Sequence, residues 1–450
     1  MEKQAKTKEW YKEMDIAHVL HGMTVPSIFH KSGSLMYDRG YGIRLVDLDG
    51  KVYMDGMMGG ACCTVGYGRE EIGEVSKEQM IRLSHYPNFG HRANLAEIEL
   101  CAKLAEIAPA KIERFYTTNS GSDAVEVAVK AARFYWKEKG KKNKSKIISL
   151  EHSYHGSTAI AMSVTAEPFW LHPSLEPYVP GFLHVGMPIC YRCPWGKSYP
   201  GCNRECAQAL EEMIEKEGED TVAAFITEPM WVASGLYVPP PEYWPKVAAI
   251  CKKHNVLMII DEVLTGFGKS GTFWCSDLYG IKPDMLISSK GLAAAYAAIA
   301  VVGITDEIYK GLTTRDAMFP HVHTYGGHCV SCAIALEVIE ITLREKLMEK
   351  AAKQGEYSLK RLTRLKEESP YVGDVRGLGV HWGLELVADK KTKEPLASSR
   401  ATEVVSRCYE KGVIIVTFGD NILRWGLAPV ATMEDLKEFL DVVEWSVKAI

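Results

Sequence analysis

The sequence has no apolar run approaching the ~20 residues that a membrane-spanning helix needs, so an integral membrane role is not expected. Nor is there an excess of positive charge. The formal net charge over 450 residues is -4, which leaves no broad cationic field to hold nucleic acid or an anionic membrane. A GxxxxGKS or GxxxxGKT phosphate loop is absent, and no GxGxxG opens the first βα turn; both absences count against nucleoside-triphosphate and nicotinamide sites. Internal repeats and low-complexity tracts are missing too. The opening segment MEKQAKTKEWYKEMD lacks the apolar stretch of a signal peptide, which predicts a cytoplasmic protein.

What is present has an ordinary globular balance, 47% hydrophobic and 24% charged, over a length that allows one large core and a smaller lobe. Twelve cysteines without a secretory signal predict reduced thiols. Four of them, Cys190, Cys193, Cys202 and Cys206, follow a C-x-x-C…C-x-x-x-C spacing. Either they close around a structural zinc, with sulfur filling all four positions, or they lie free in a turn-rich surface loop. Pro194, Gly196, Pro200 and Gly201 among them favour the loop, so no metal is expected.

Residues 1–30 read as helical and then irregular, and 35–59 as short strands with an Asp49-Gly50 hairpin turn. From about Glu70 helices and strands alternate. AEIELCAKLAEIA and SDAVEVAVKAARFYWKEKG carry apolar residues at helical spacing, with Ser122 and Asp123 as candidate caps of the second. RFYTT, KIISLE, AAFITE, VLMIID, DMLISS and AIAVVGI read as strands, most of them continuously apolar as buried parallel strands are. That alternation predicts an α/β domain with a mostly parallel sheet. Beyond Gly327 one long helical stretch, ALEVIEITLREKLMEKAAKQGEYSLKRLTRL, leads into a C-terminal α+β lobe.

Ligands of such sheets bind beyond the carboxyl ends of the strands, and the informative polar residues fall there. Glu228 follows AAFIT, Asp261 ends VLMII, Lys290 follows DMLISS, and Ser120-Gly121-Ser122 turns RFYTT into a helix. The turn is either a plain cap or an anion site at a helix start, with phosphate the obvious anion. Lys290 is either a solvated lysine or, between an apolar strand and a small-residue segment, a desolvated nucleophilic amine. Asp261 is either a cap or ion pair, or the carboxylate that keeps the pyridine nitrogen of pyridoxal phosphate protonated. Tyr154 and His155, in LEHSYHGSTAIAM, either pack in the core or stack on a flat cofactor.

Taken together, DLDGKVYMDG, VGYGREEI, YTTNSGSDAVEVAVKAAR, HSYHG, ITEP, IIDEVLTGFGKSG, ISSKGL, HTYGGHCVSCA and LRWGLAPV resemble, in order and over nearly the whole chain, the class III (ω-amino acid type) aminotransferases on the fold type I scaffold. The resemblance implies a mostly parallel seven-stranded sheet in a large cofactor domain, 70–326. A small α+β domain is then built from both termini, 1–69 and 327–450. It implies pyridoxal 5'-phosphate, with Lys290 as Schiff-base lysine and proton shuttle and Asp261 at the pyridine nitrogen. Val263 and Tyr154 would lie on the two ring faces. Ser120, Gly121, Ser122 and His155 would belong to the cofactor shell, Gly121 and Ser122 at the phosphate. Thr324 matches a phosphate ligand given to the neighbouring subunit, which implies a homodimer with shared active sites. Glu228 resembles a glutamate that pairs with a mobile arginine, and Arg424 the arginine that binds a substrate carboxylate.

Among the family's members, VGYGREEI and CYRCPWGKSYPGC look most like taurine– and β-alanine–pyruvate enzymes. The implied partners are an amine or ω-amino acid donor and a keto acid, pyruvate first. One departure bears on substrate. Amine-selective members often carry a large aromatic residue before VGYGR, where this chain has Ala61, Cys62 and Cys63, and a roomier donor pocket bordered by Ala61 and Tyr154 is the expectation. A second departure, KGLAAAYAAIAVV, replaces a segment often rich in Ser, Gly and Pro. The rival readings are a mutase or racemase using the same cofactor, a nicotinamide dehydrogenase, and a non-catalytic binding protein on the same scaffold.

Overall fold

A computed structural model describes residues 6–314 and 318–450. Seven strands form its main sheet: Ile112–Thr118, Lys146–Leu150, Phe182–Val185, Val222–Thr227, Leu257–Asp261, Met285–Ser288 and Ala300–Thr305. Numbered one to seven along the chain, they stand side by side in the order 1-7-6-5-4-2-3. Alternate residues feed cores on opposite faces. Ile148, Phe225, Met258, Ile260 and Leu286 pack to one side, while Ile147, Ala224, Ile226, Ile259 and Ile287 pack to the other. Burial on both faces is why these strands read as continuous apolar runs rather than alternating ones.

The seventh strand runs antiparallel to both of its neighbours. The segment 289–299 that precedes it is too short to hold the crossover helix a parallel return requires. It holds instead a 3₁₀ turn at Lys290–Leu292. The short link therefore both reverses the strand and leaves Lys290 at the carboxyl end of the sheet. Phe182–Val185 has no counterpart among the strands read from the sequence. It is a four-residue edge strand, half-buried over three of its residues and interrupted by His184, and so is too short to stand out as a buried strand.

The helix Gly121–Glu138 lies against one face, burying Ala124, Val125, Ala128, Ala132 and Trp136. The expected single helix after Gly327 is two, Cys329–Arg344 and Leu347–Glu368. They break at Lys346, whose φ of 53° is left-handed and ends one helix before the next begins. Two smaller sheets flank the large one. Tyr37–Tyr41, Arg44–Asp47 and Val52–Asp55 pair on to Val413–Ile414, so both ends of the chain share one sheet. Val372–Leu378, His381–Asp389, Ile422–Gly426 and Val416–Phe418 form the other, and it carries Arg424. Among the described residues no helix is long and apolar enough to cross a membrane.

Candidate active site

Five strand ends converge on one cavity of about 300 Å³, lined among others by Ser120, Gly121, Ser122, Tyr154, His155, Glu228, Asp261, Val263 and Lys290. Every residue expected at the cofactor is therefore in one place except Thr324. That residue is exposed, its carbonyl accepting from His85 Nε2 (3.0 Å), and it does not line the cavity.

At the helix end, Ser120 is the cap, its hydroxyl accepting from Asp123 N–H (3.2 Å) and donating to the Asp123 carboxylate (2.8 Å). Ser122, expected to cap, sits inside the first turn, and its hydroxyl accepts from Ser157 N–H (3.0 Å). The first amide to donate into the helix is that of Ala124, to Ser120 C=O (3.0 Å). The Gly121 and Ser122 amides thus precede the ladder and are the ones a helix start offers to an anion. Two glycines make room here. A Cβ on Gly121 would stand 3.2 Å from Val263, and one on Gly156 would stand 2.3 Å from Ser122 Oγ, on a backbone with φ of 131°. The second leaves no space for a side chain, whereas the first would require Val263 to shift slightly.

The floor is acidic. Asp261 is buried, one carboxylate oxygen 2.8 Å from His155 Nδ1 and the other accepting from Val263 N–H (3.0 Å). His155 Nε2 is buried without a partner. Glu228, also buried, accepts from Val232 N–H (3.3 Å) through one oxygen and leaves the other unpaired. Burial first, and the neighbouring Asp261 second, push its carboxyl well above the usual range.

Lys290 enters from the end of the sixth strand, the neighbour of the strand that ends in Asp261, its own backbone left-handed at φ 44°. The turn beneath it is closed by Ser289 Oγ donating to Ile299 C=O (2.9 Å). Lys290 is partly accessible because the cavity opens on it, yet protein encloses it on every other side. Burial accordingly lowers its amine pKa, and Arg424 adds to the effect, while Cys62, Asp261 and Glu228 oppose it.

A second chamber of about 250 Å³ meets the first at Tyr154, Leu264 and Lys290, and Gly60, Ala61, Trp170, His381, Arg424 and Trp425 help to line it. Arg424 donates to the carbonyls of Val232 (3.0 Å) and Ala233 (3.2 Å), not to Glu228. The Tyr154 ring lies 4.7 Å from that of Trp170. Trp170, His381 and Trp425 escaped the sequence reading because they arrive from a 3₁₀ turn and from a separate sheet. Cys62, Asn119 and Ser289, which also line the first chamber, adjoin residues the motifs had already marked.

The four loop cysteines are free and border one small space with Trp195 and Tyr199. They are not among the described groups whose ligand atoms lie within 4.8 Å of one another. That description fits only Glu211, Glu215 and His254, which are already engaged with Lys253 or with each other.

A family model described as aminotransferase class-III matches residues 28–447. Curated relatives include a putrescine–pyruvate aminotransferase of Pseudomonas aeruginosa, 35% identical over 93% of this chain and 91% of its own. A taurine–pyruvate aminotransferase of Rhodobacter capsulatus is 35% identical over 89% and 87%. Among solved structures, an (S)-enantioselective ω-transaminase from Thermomicrobium roseum superposes with a TM-score of 0.94 at 37% identity, covering 99% of both chains. The ω-transaminase of Pseudomonas jessenii, in complex with PMP, gives 0.92 at 32% identity over 97% of both.

Proposed function

As the chain belongs to the class-III aminotransferases, we propose that it moves an amino group from an ω-amino acid or primary amine to pyruvate, using pyridoxal phosphate held by Lys290. Amino transfer itself follows from the family. The observation that carries the finer reading is the meeting of Lys290, Asp261 and the 120–122 amides on one chamber.

The residues fit this cofactor in three ways. Unladdered amides at a helix start suit its phosphate. A buried carboxylate backed by His155 suits a ring N–H⁺. An amine whose pKa burial lowers, and which is therefore easier to deprotonate than a solvated lysine, suits its aldehyde. When bound, the cofactor supplies an electron-withdrawing ring that stabilises charge at the carbon losing its proton. Lys290 Nζ is the group placed to take that proton and return it. Val263 and Tyr154 bound the chamber where the two ring faces would lie.

In the second chamber Arg424 is the cation for the acceptor's carboxylate. Glu228, driven toward its protonated form, pulls on it less than a carboxylate would. Arg424→Ala is expected to raise the KM for pyruvate about a hundredfold, the loss of a charged two-point hydrogen bond. An unchanged pyruvate KM contradicts this role. Ala61 borders the same chamber, so donors bulkier than small ω-amino acids are expected to react. Ala61→Trp should lower kcat/KM for bulky amines at least about tenfold while sparing the smallest donors; equal losses for both classes would show that Ala61 does not set donor size.

The homodimer is supported by an apolar surface around Thr324. Tyr86, Phe89, Met318, Val322 and Tyr325 are exposed there, Met318 by 82%. A partner covering this face would bring each Thr324 toward the other subunit's phosphate site. Sedimentation of the holoenzyme as a monomer refutes it. The activity is tested by a donor panel with pyruvate and, separately, 2-oxoglutarate. Alanine formation with ω-amino donors is expected, and donors that yield no alanine from pyruvate overturn the assignment.

A further inference from the structure

A second lysine lies behind the site. Lys269, from the turn of IIDEVLTGFGKSG, is fully buried. Its main-chain carbonyl accepts from Val380 N–H (2.9 Å), which fastens this turn to the C-terminal lobe. An ammonium group offers three donors and is costly to bury unpaired. Yet among the described residues no carboxylate stands within ion-pair distance, and Nζ makes a single hydrogen bond, to the carbonyl of Ala61 (3.1 Å). Methionine would fill the same space without that cost.

The acceptor is what makes this contact informative. Ala61 ends four consecutive left-handed residues, Met58, Gly59, Gly60 and Ala61, with φ of 49°, 57°, 81° and 66°. Met58 and Ala61 have side chains that disfavour this region, so the path needs holding from outside. Its first half is held by Asp55, whose carboxylate accepts from Met57 N–H (2.8 Å), Gly59 N–H (2.7 Å) and Tyr67 O–H (2.6 Å). Its second half is closed by backbone bonds from Ala61 N–H to Met57 C=O (2.7 Å) and from Cys62 N–H to Met58 C=O (2.8 Å), and the Lys269 side chain grips it at Ala61 C=O. This run is one wall of the chamber that Arg424 and Trp170 border on other sides. The same Nζ stands 3.3 Å from where a Cβ on Gly291 would lie, directly beneath the turn that carries Lys290.

We propose that Lys269 is a positioning residue that ties the left-handed donor-side wall at Ala61 to the turn bearing Lys290, and so sets how tightly and how selectively amino donors bind. The inference rests on the function proposed above. It assigns Lys269 no contact with substrate or cofactor. The groups that face it, Cys62 on the wall, Lys290 on the turn and Glu262 on its own loop, together with His381 on the C-terminal hairpin, remain in place when it is replaced.

The test is Lys269→Met in the holoenzyme, with kcat and KM measured separately for a small ω-amino acid, a bulky amine and pyruvate, beside the cofactor's visible absorbance and the thermal midpoint. Donor KM should rise about tenfold, with the ratio of bulky to small donors changed, while kcat and pyruvate KM stay within about threefold. A donor KM within about twofold of wild type, or a loss shared equally by kcat and pyruvate KM, overturns the proposal. Should the methionine variant not fold, Lys269→Gln, shorter and uncharged, is judged by the same criteria. Wild type is assayed alongside: its failure to make alanine refutes the proposed activity, whereas an active wild type with an unresponsive variant refutes only this role of Lys269.

Discussion

Lys290→Ala is expected to reduce transamination by at least about 10⁴-fold, since one amine serves both as the nucleophile for the cofactor and as the proton carrier. The cavity explains why no neighbour replaces it. Asp261 and Glu228 are carboxyl groups, which form no imine, and Lys269 points its nitrogen at Ala61 rather than into the chamber. The phosphate end of the site does not involve Lys290, so the variant should still bind cofactor, weakly and reversibly. A stability measurement separates lost chemistry from lost folding. The Lys290 amine has its pKa lowered from 10.5 in the folded protein, so between those two values the unfolded chain binds more protons. That difference favours unfolding. The penalty is complete below the folded pKa and fades as pH rises toward 10.5. Cofactor-free Lys290→Ala should therefore melt no lower than cofactor-free wild type at pH 7, and its advantage should shrink in alkali. A variant that is inactive and also melts well below wild type would mean that the lysine's role is structural.

Asp261→Asn is the second large effect. The substitution preserves shape and can keep the acceptor for Val263 N–H, but removes a buried negative charge that His155 supports at 2.8 Å. A buried carboxylate that would keep the cofactor's ring nitrogen protonated would maintain its electron-withdrawing power, and losing a fixed charge of this kind in a site sheltered from water costs about 10²–10³ in rate. kcat should fall by about that factor, with donor KM within about threefold because Asp261 lies in the other chamber. A fall in donor affinity with kcat preserved would place Asp261 in substrate binding and contradict its assignment to the ring nitrogen.

Much of this site was legible in the sequence for one physical reason. Buried parallel strands are continuous apolar runs, so polar residues such as Glu228, Asp261 and Lys290 that interrupt them mark the carboxyl edge where ligands bind. Glycine at 121 was legible for its small size at a helix start. What escaped depends on contacts made across the fold. The His155–Asp261 pair joins the loop after the second strand to the end of the fifth, and exists only because those two strands lie on either side of the fourth. Ser122 looked like the cap because serine caps helices, but the structure gives that task to Ser120 and turns Ser122 toward Ser157. The break at Lys346 leaves no trace in an unbroken helical pattern. Trp170 and His381 reach the donor chamber from segments whose local sequence says nothing of where they go. Lys269 read as part of a motif; its burial and its hold on Ala61 are tertiary facts.

Two enclosed amines, Lys290 and Lys269, lie on adjoining turns, and which of them carries the cofactor decides the assignment of the site. Borohydride reduction of the freshly purified yellow holoenzyme fixes the cofactor on to the amine that holds it, and mass analysis of the peptides then locates the label. Cofactor mass is expected on the peptide containing Lys290 and none on that containing Lys269. Label on Lys269, or loss of colour with no labelled lysine, would contradict that assignment.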